Sequence, residues 1–306
     1  MKNTSKLWPA ALSALLLMAG CSTAETPAAT AEPSVDAVEP TPEATAPASE
    51  EIVSHAPDLE ALKASGAPLS QATVYGIYQQ QGDAVDSSIQ CTVVVNTETG
   101  DVVSIELEEA LLPVSAGGAE GWAVLDEQTA QLLGDHVVTQ DEMTVPAEFE
   151  LNGIRWYAQS TDEGIDYQAD IQGETVSLIS YIQTQEGGQW YHESLSTPAS
   201  LLDADGEEVA QVQIETKASI RHGEDFWPSA ITFPGNITLI ENVVYDYGIQ
   251  YDHYPESSDI AKNEDGQWVV ADVNSGATLA GAPNYWNLIK DAADQIAKGN
   301  GTEVTE

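Results

Sequence analysis

Residues 272–278, Asp-Val-Asn-Ser-Gly-Ala-Thr, bring a hydroxyl group, a carboxylate and two small residues together near the C-terminus. The Thr278 hydroxyl can form an ester bond with a phosphate group. Gly276 and Ala277 lack bulk, so a phosphate and a large modifying enzyme could approach the backbone there. The alternative interpretation is a surface turn before a helix, because Asn, Ser and Gly are common in turns.

The elements on either side of this motif must position it. Residues 267–270 predict a β-strand that ends just before the motif. Residues 284–298 predict an amphipathic C-terminal helix, which Asn284 could cap and Gly299 would end. Another helix is predicted from a cap at Asn236 to Gly248. The expected apolar faces are Tyr285, Leu288, Ile289, Ala292, Ala293 and Ile296 for the C-terminal helix, and Ile237, Ile240, Val243, Val244 and Tyr247 for the other.

The pattern Asp-x-x-Ser-Gly-Ala-Thr resembles the attachment motif of the FMN-binding domain family, in which a flavin transferase links FMN to the last residue of the motif. That family includes flavin-carrying subunits of sodium-pumping NADH:quinone oxidoreductases and extracellular flavoprotein lipoproteins. The resemblance implies a covalent phosphoester between FMN and Thr278. It also implies that Ser275, Gly276 and Ala277 form the cofactor-binding segment, and that Asp272 helps to position the acceptor or a metal during transfer.

An isoalloxazine ring needs apolar or aromatic walls and a few polar groups. Tyr285 and Trp286 are the candidates near the motif, and residues 226–228, Phe-Trp-Pro, are candidates elsewhere. Core packing is the competing interpretation for each of these aromatic residues. Arg221 could balance the negative charge of a flavin, although pairing with one of the many carboxylates is the competing interpretation.

Residues 1–21 have the features of a bacterial lipoprotein signal peptide. Lys2 and Lys6 precede an apolar run, residues 8–18, that is too short to span a bilayer as a stable helix. The run ends in Leu-Met-Ala-Gly before Cys21, which resembles a lipobox. We therefore predict a lipid on Cys21 that anchors the protein to the bacterial membrane outside the cytoplasm. An ordinary signal peptide with a nearby cysteine is the alternative.

Composition divides the rest of the chain. Residues 22–57 are rich in Ala, Pro, Thr and Glu without aromatic residues, which predicts a disordered acidic linker. Residues 58–299 would form the FMN-binding-like domain, either as one unit or as two lobes that divide near residue 145, and residues 300–306 would form a frayed tail.

The chain is strongly acidic, with 9 Lys and Arg against 50 Asp and Glu and a net charge of −41. This charge excludes nucleic acid as an ordinary partner and repels anionic lipid head groups. The five His have no metal-ligand spacing, so no metal site is predicted. With Cys21 lipidated, Cys91 has no partner for a disulfide within the chain, and its alternation with Val93 and Val95 predicts a core position.

Strand and helix patterns alternate irregularly, which favours an α+β fold of antiparallel sheets with a few packed helices, including the C-terminal one. The clearest hairpin joins residues 91–95 to residues 103–107 through a Gly turn. Helical spacing is expected over residues 119–133. Extended structure is expected over 146–157, 165–182 and 207–220, with turns at Gly173, at 187–188 and at 205–206.

Together these features predict a lipid-anchored flavoprotein that carries FMN on Thr278 and relays electrons across the cell envelope. Its partners would be a flavin transferase, a membrane or envelope electron donor and acceptor, and the bilayer itself through Cys21. No catalytic residue is predicted. The alternative is a non-catalytic binding lipoprotein in which the motif is unused, and a hydrolase that uses two carboxylates is a third reading that no sequence feature favours.

Overall fold

The computed structural model describes residues 52–79, 85–114, 121–162, 164–216 and 231–305. The predicted signal peptide with Cys21, most of the predicted linker, Arg221 and residues 226–228 lie outside these ranges. Within them the fold is α+β, as predicted, with antiparallel sheets and a long C-terminal helix.

The described ranges contain six α-helices and fifteen strands. The helices are α1 Leu59–Ala64, α2 Glu127–Leu133, α3 Leu178–Ile182, α4 Gln185–Glu193, α5 Phe233–Tyr247 and α6 Ala282–Ala297. The strands are β1 Leu69–Gln79, β2 Val85–Asn96, β3 Val102–Leu111, β4 Val137–Gln140, β5 Met143–Pro146, β6 Glu148–Leu151, β7 Ile154–Thr161, β8 Gly164–Ile171, β9 Glu174–Ser177, β10 Ala199–Leu202, β11 Glu208–Val212, β12 Ile260–Lys262, β13 Trp268–Val270, β14 Val273–Asn274 and β15 Thr302–Glu303.

One antiparallel sheet has the strand order β15-β1-β2-β3 and contains the predicted hairpin. The buried residues between this sheet and helices α5 and α6 form what we call the main core. Cys91, Val93 and Val95 point from β2 into it, as the alternation indicated, and Cys91 is fully buried. The pairing shifts by a β-bulge near Val95, so Val102 joins the main core while Val103 lies on the opposite face. Val103 therefore does not share a face with Ile105 and Leu107, because a bulge reverses the inward alternation.

A second sheet has the order β11-β10-β6-β7-β8-β9 and carries a separate core. On β7 the side chains alternate, with Trp156 and Ala158 buried while Arg155 and Tyr157 face solvent. The two cores divide along β3, where Ile105 belongs to the first and Ala110 to the second. A division into lobes near residue 145 stays a prediction.

Residues 178–182 were predicted as extended and residues 187–188 as a turn, but they lie in α3 and α4. Ser177 caps α3, so the apolar run that follows buries Leu178 and Ile182 one helical turn apart. Gly188 is inside α4 and lies against β1, where an added Cβ would come within 2.3 Å of Tyr75 Cβ. Gly187 lies equally close to Tyr181 of α3, so the two glycines serve close packing and form no turn.

The helix predicted over residues 119–133 is shorter than expected. Only α2 is helical in the described part of that range, and Asp126 caps it. Trp122 lies in the preceding loop, where its indole N–H donates to the Tyr191 hydroxyl at 2.9 Å. Trp122, which falls within the predicted helix, is thus held by a residue that is distant in sequence.

The C-terminal helix α6 packs on the first sheet and buries all six residues of the predicted apolar face. Its start differs from the prediction, because Gly281 occupies the cap position and Pro283 lies in the first turn. Asn284 donates from its side chain to Gln79 O and Gly281 O instead of capping the helix.

Helix α5 begins before the predicted position, at Phe233, with Thr232 as its cap. Asn236 therefore lies inside the helix and is buried, while Tyr247, predicted on the apolar face, is 60% exposed. Helix α5 also forms hydrogen bonds with the first residues that the structure describes. His55 N donates to Asn242 Oδ1 at 2.8 Å, and Asn242 Nδ2 donates to Val53 O at 2.9 Å. Residues 52–57, which were assigned to the disordered linker, thus pack on the domain.

Among the described residues, no helix has both the length and the apolar character that crossing a bilayer requires.

Candidate cofactor-attachment site

The motif begins on a small sheet in which β13 pairs with both β12 and β14. Ala271 and Asp272 form the two-residue turn between β13 and β14, with φ angles of 47° and 67°. Asp272 is exposed at this turn, and within the described ranges its carboxylate makes no hydrogen bond or ion pair. The structure thus gives Asp272 no direct contact with Thr278, and the role that the resemblance implied for it stays a prediction.

Trp268 holds one side of the segment that we call the attachment loop, residues 275–280. Ser275 donates to Trp268 O from its backbone N at 2.9 Å and from its hydroxyl at 2.7 Å. Trp268 N donates to Ala277 O at 2.9 Å, and the Trp268 indole N–H donates to Leu279 O at 2.7 Å. One residue of β13 thereby fixes three residues of the loop.

The local structure explains why the motif has small residues at positions 276 and 277. Gly276 has a φ of +74°, a conformation that residues with a side chain rarely adopt. Its N–H donates to Asn274 Oδ1 at 3.1 Å. Ala277 is fully buried in the main core. Its small size therefore fits the packing beneath the loop, which differs from the open approach expected from the sequence.

The side chains of the loop alternate between the interior and the surface. Ser275, Ala277 and Leu279 are buried, whereas Gly276 and Thr278 are partly exposed. Because Gly276 has no side chain, Thr278 carries the one side chain of residues 275–279 that reaches the surface. The structure therefore presents a hydroxyl on a backbone that is hydrogen-bonded on both sides of it.

Asn236 of α5 holds the loop from the other side. Its Oδ1 accepts hydrogen bonds from Thr278 N at 2.8 Å, from Leu279 N at 3.1 Å and from the Thr278 hydroxyl at 3.4 Å. Asn236 was predicted to be a helix cap, and its contact with the attachment loop was not predicted. A polar residue among the apolar positions of this helix indicates a buried hydrogen bond, but the pattern does not identify the residue that donates it.

The loop continues into α6 through a close contact with β1. Gly281 N donates to the Tyr78 hydroxyl at 3.1 Å. An added Cβ on Gly281 would come within 2.2 Å of the Tyr78 ring. The start of α6, and with it the end of the attachment loop, is consequently held against the sheet.

The two aromatic candidates nearest the motif do not line an open site. Tyr285 and Trp286 are fully buried in the main core. The Tyr285 hydroxyl donates to Glu109, and the Trp286 indole N–H donates to Ile240 O at 3.1 Å. Core packing is therefore the correct interpretation for both.

Two ionisable side chains lie on elements that neighbour the loop. On β12 the Lys262 ammonium lies 4.9 Å from the centroid of the Trp268 ring, so one cation packs beside the residue that holds the loop. On α5, five residues after Asn236 and near Cys91 and Tyr245, burial raises the pKa of the Glu241 carboxyl to about 7. A carboxyl with that pKa changes its charge within the range in which most proteins work.

A second group resembles catalytic machinery but is enclosed. The Ser88 hydroxyl lies 3.2 Å from His192 Nε2, and His192 Nδ1 lies 3.3 Å from Glu108 Oε2. Such a row would suit nucleophilic catalysis. Ser88, however, is 0% exposed, and the His192 ring packs against Tyr75. A substrate cannot reach the hydroxyl, so the row is a buried polar network. No cluster of metal-ligating side chains is found in the described part of the chain.

The chain matches no protein-family model, no curated protein and no solved structure. The relation to the FMN-binding domain family therefore stays a prediction from residues 272–278. What the geometry adds is a rigid loop with one partly exposed hydroxyl, which is able to accept a covalent group.

Proposed function

We propose that this protein carries FMN through a phosphoester on Thr278 and transfers electrons outside the cytoplasm. The supporting observation is that Thr278 carries the one surface hydroxyl of the attachment loop, which Trp268 and Asn236 hold from both sides. The backbone N–H groups of Thr278 and Leu279 both donate to Asn236, so the acceptor residue is held in one position. A transferase benefits from an acceptor that is already ordered.

The residues around Thr278 fit a phosphate group. Its hydroxyl is partly exposed, and Ala280, two residues later, is exposed with a backbone N–H that has no partner in the described ranges. An unpaired backbone N–H is a suitable donor to a phosphate oxygen. When bound, FMN would accept and donate one or two electrons, and the protein would orient it and limit its loss outside the cell.

Formation of the ester requires an activated flavin. With a flavin dinucleotide as donor, the Thr278 oxygen would bond to the flavin-side phosphorus, the phosphoanhydride bond would break, and the nucleoside monophosphate would leave with the bonding electrons. The hydroxyl proton passes to a base of the transferase, because within the described ranges the Thr278 oxygen contacts only the Asn236 amide. An amide oxygen is too weak a base for this purpose.

The N-terminal sequence supports the compartment. The basic residues, the apolar run and the Leu-Met-Ala-Gly-Cys sequence that ends at Cys21 are typical of a lipid-anchored protein. The FMN would then pass electrons between a membrane donor and an acceptor in the envelope or outside the cell.

The test is to co-express the full chain with an exported flavin transferase and to measure its intact mass and visible absorbance. The expected product is yellow and heavier by one FMN minus one water, with the added mass on the peptide that contains Thr278. Thr278→Ala should abolish the addition, whereas Thr278→Ser should retain part of it because the hydroxyl remains. Thr238→Ala is the matched control, since that hydroxyl donates to Pro234 O within α5 at 3.1 Å.

An unmodified mass would refute the proposal if the same transferase modifies a control substrate in the same cells. The alternative would then be a non-catalytic binding lipoprotein, and a ligand would be sought by mass spectrometry of the purified protein.

A further inference from the structure

We propose that Asn236 is a positioning residue for the attachment of flavin to Thr278, an inference that rests on the proposed function. It holds the backbone of residues 278–279 in place and sets a neutral oxygen beside the reacting hydroxyl. Nothing in residues 272–278 themselves identifies this residue, which is separated from Thr278 by 42 positions in the sequence.

The orientation of the Asn236 amide follows from its neighbours. Its oxygen faces the two backbone N–H groups of Thr278 and Leu279. Its nitrogen faces two carbonyl oxygens at the start of α5, Ile231 O at 3.3 Å and Thr232 O at 3.2 Å. The reversed amide would place its NH2 group against two N–H donors and its oxygen against two carbonyls. The network therefore admits one orientation.

The three hydrogen bonds to Oδ1 differ in length. The backbone donors lie at 2.8 Å and 3.1 Å, whereas the Thr278 hydroxyl lies at 3.4 Å. A carbonyl oxygen has two lone pairs, which the two closer donors occupy. The hydroxyl is thus the most weakly held of the three, and it can turn toward a transferase while the backbone stays in place.

Attachment changes this contact in a definite way. The ester oxygen of modified Thr278 has no proton, so it and Asn236 Oδ1 are both acceptors. Two acceptors at hydrogen-bond distance repel each other, and the Thr278 side chain must rotate away from Asn236. The two backbone hydrogen bonds are unaffected, so the loop keeps its shape.

The neutral amide also suits the charge of the reaction. Asn236 is 0% exposed, and its oxygen is within hydrogen-bond distance of the atom that receives the phosphate. A carboxylate of similar size would accept from the same N–H groups, but its second oxygen would face the Ile231 and Thr232 carbonyls, and its charge would repel the phosphate of the donor. Although the chain has 50 Asp and Glu, the acceptor at this position is a neutral amide, which does not repel the incoming phosphate.

The test compares flavin attachment to full-length wild type, Asn236→Leu, Asn236→Asp and Asn242→Leu, each expressed without a transferase and purified in detergent. Asn242→Leu is the matched control. Asn242 is a second buried asparagine of α5, and its side chain bonds to Val53 and His55 instead of the attachment loop. Initial rates are measured with purified transferase and flavin dinucleotide at a temperature at which every variant is folded by circular dichroism.

We expect Asn236→Leu to lower kcat of attachment about tenfold or more with little change in KM, because the acceptor is no longer ordered. Asn236→Asp should lower the melting temperature, because it loses the donor to Ile231 O and Thr232 O, and it should lower the rate about tenfold through repulsion of the phosphate. Asn242→Leu should stay within about twofold of wild type even if it lowers the melting temperature equally. In modified wild type, a crystal structure should show the Thr278 oxygen moved away from Asn236 Oδ1.

A wild-type rate in folded Asn236→Leu would overturn the inference, as would an equal loss in Asn242→Leu. If Asn236→Leu does not fold, a wild-type rate in Asn236→Asp overturns it in the same way. Failure of wild type itself to accept flavin refutes the proposed function instead, so the two failures are distinguishable.

Discussion

Replacement of Glu241 by Gln should stabilise the protein more at pH 8.5 than at pH 5.5. The Glu241 side chain lies on α5 near Cys91 and Tyr245 of the main core, and the dominant cause of its raised pKa is loss of hydration. Among the described residues, no hydrogen bond or ion pair compensates its charge. Ionisation of this carboxyl therefore costs more in the folded protein than in the unfolded chain.

The size of the effect follows from the pKa, which burial raises from 4.5 to about 7. A carboxyl whose folded pKa is raised is protonated in both states below the unfolded pKa, so it imposes no cost there. As the pH rises toward 7, the unfolded chain ionises first and the folded state loses relative stability. Above 7 the full cost applies. One pKa unit corresponds to about 1.4 kcal/mol, and the difference in cost between pH 5.5 and pH 8.5 is about 2 kcal/mol.

Urea unfolding of wild type and Glu241→Gln at both pH values would measure this difference. The gain in unfolding free energy from the substitution should be about 2 kcal/mol larger at pH 8.5 than at pH 5.5. Glu106→Gln, at an exposed position of β3, is the control for the general charge of the protein and should show no such difference. A pH-dependent gain below about 0.5 kcal/mol would refute the reasoning, because it would mean that Glu241 stays hydrated in the folded state.

Two further substitutions test the framework of the attachment loop. Gly281→Ala should lower the free energy of unfolding by about 2 kcal/mol or more, since the added methyl group meets the Tyr78 ring, and an unchanged melting temperature would contradict that contact. Trp268→Phe removes the indole donor to Leu279 O and should cost about 1–2 kcal/mol more in urea unfolding than Trp156→Phe. Trp156 is the control because it is also buried but its indole N–H has no partner in the described ranges, and equal costs would show that the bond is unimportant.

Local patterns in the sequence predicted the parts of the fold that local interactions determine. The apolar spacing of α6 follows from helix geometry alone, and all six expected residues are buried. The hairpin of β2 and β3 has alternating residues and a Gly turn, so its pairing was also visible. The bulge that places Val102 and Val103 on opposite faces was not, because it depends on how the two strands pair.

Tertiary contacts determined the secondary structure of segments whose local sequence favoured a different conformation. Residues 178–182 contain β-branched and aromatic side chains that favour a strand, yet they form α3 because Leu178 and Ile182 both reach the second core. Gly187 and Gly188 suggested a turn, yet they lie in α4 because only glycine permits its close approach to β1 and α3. Intrinsic preference is weaker than burial in both cases.

At the candidate site, too, some features follow from the sequence and others only from the tertiary structure. The sequence by itself determined which residue offers the hydroxyl, that small residues precede it, and that the chain is acidic with a lipoprotein-like start. Only the tertiary structure decided that Thr278 reaches the surface while Ser275 and Ala277 turn inward, and that Tyr285 and Trp286 are core residues. It alone brought Asn236 to Thr278. Such a contact forms when separate elements bury their apolar faces together, and no local pattern along the chain records which polar groups then meet.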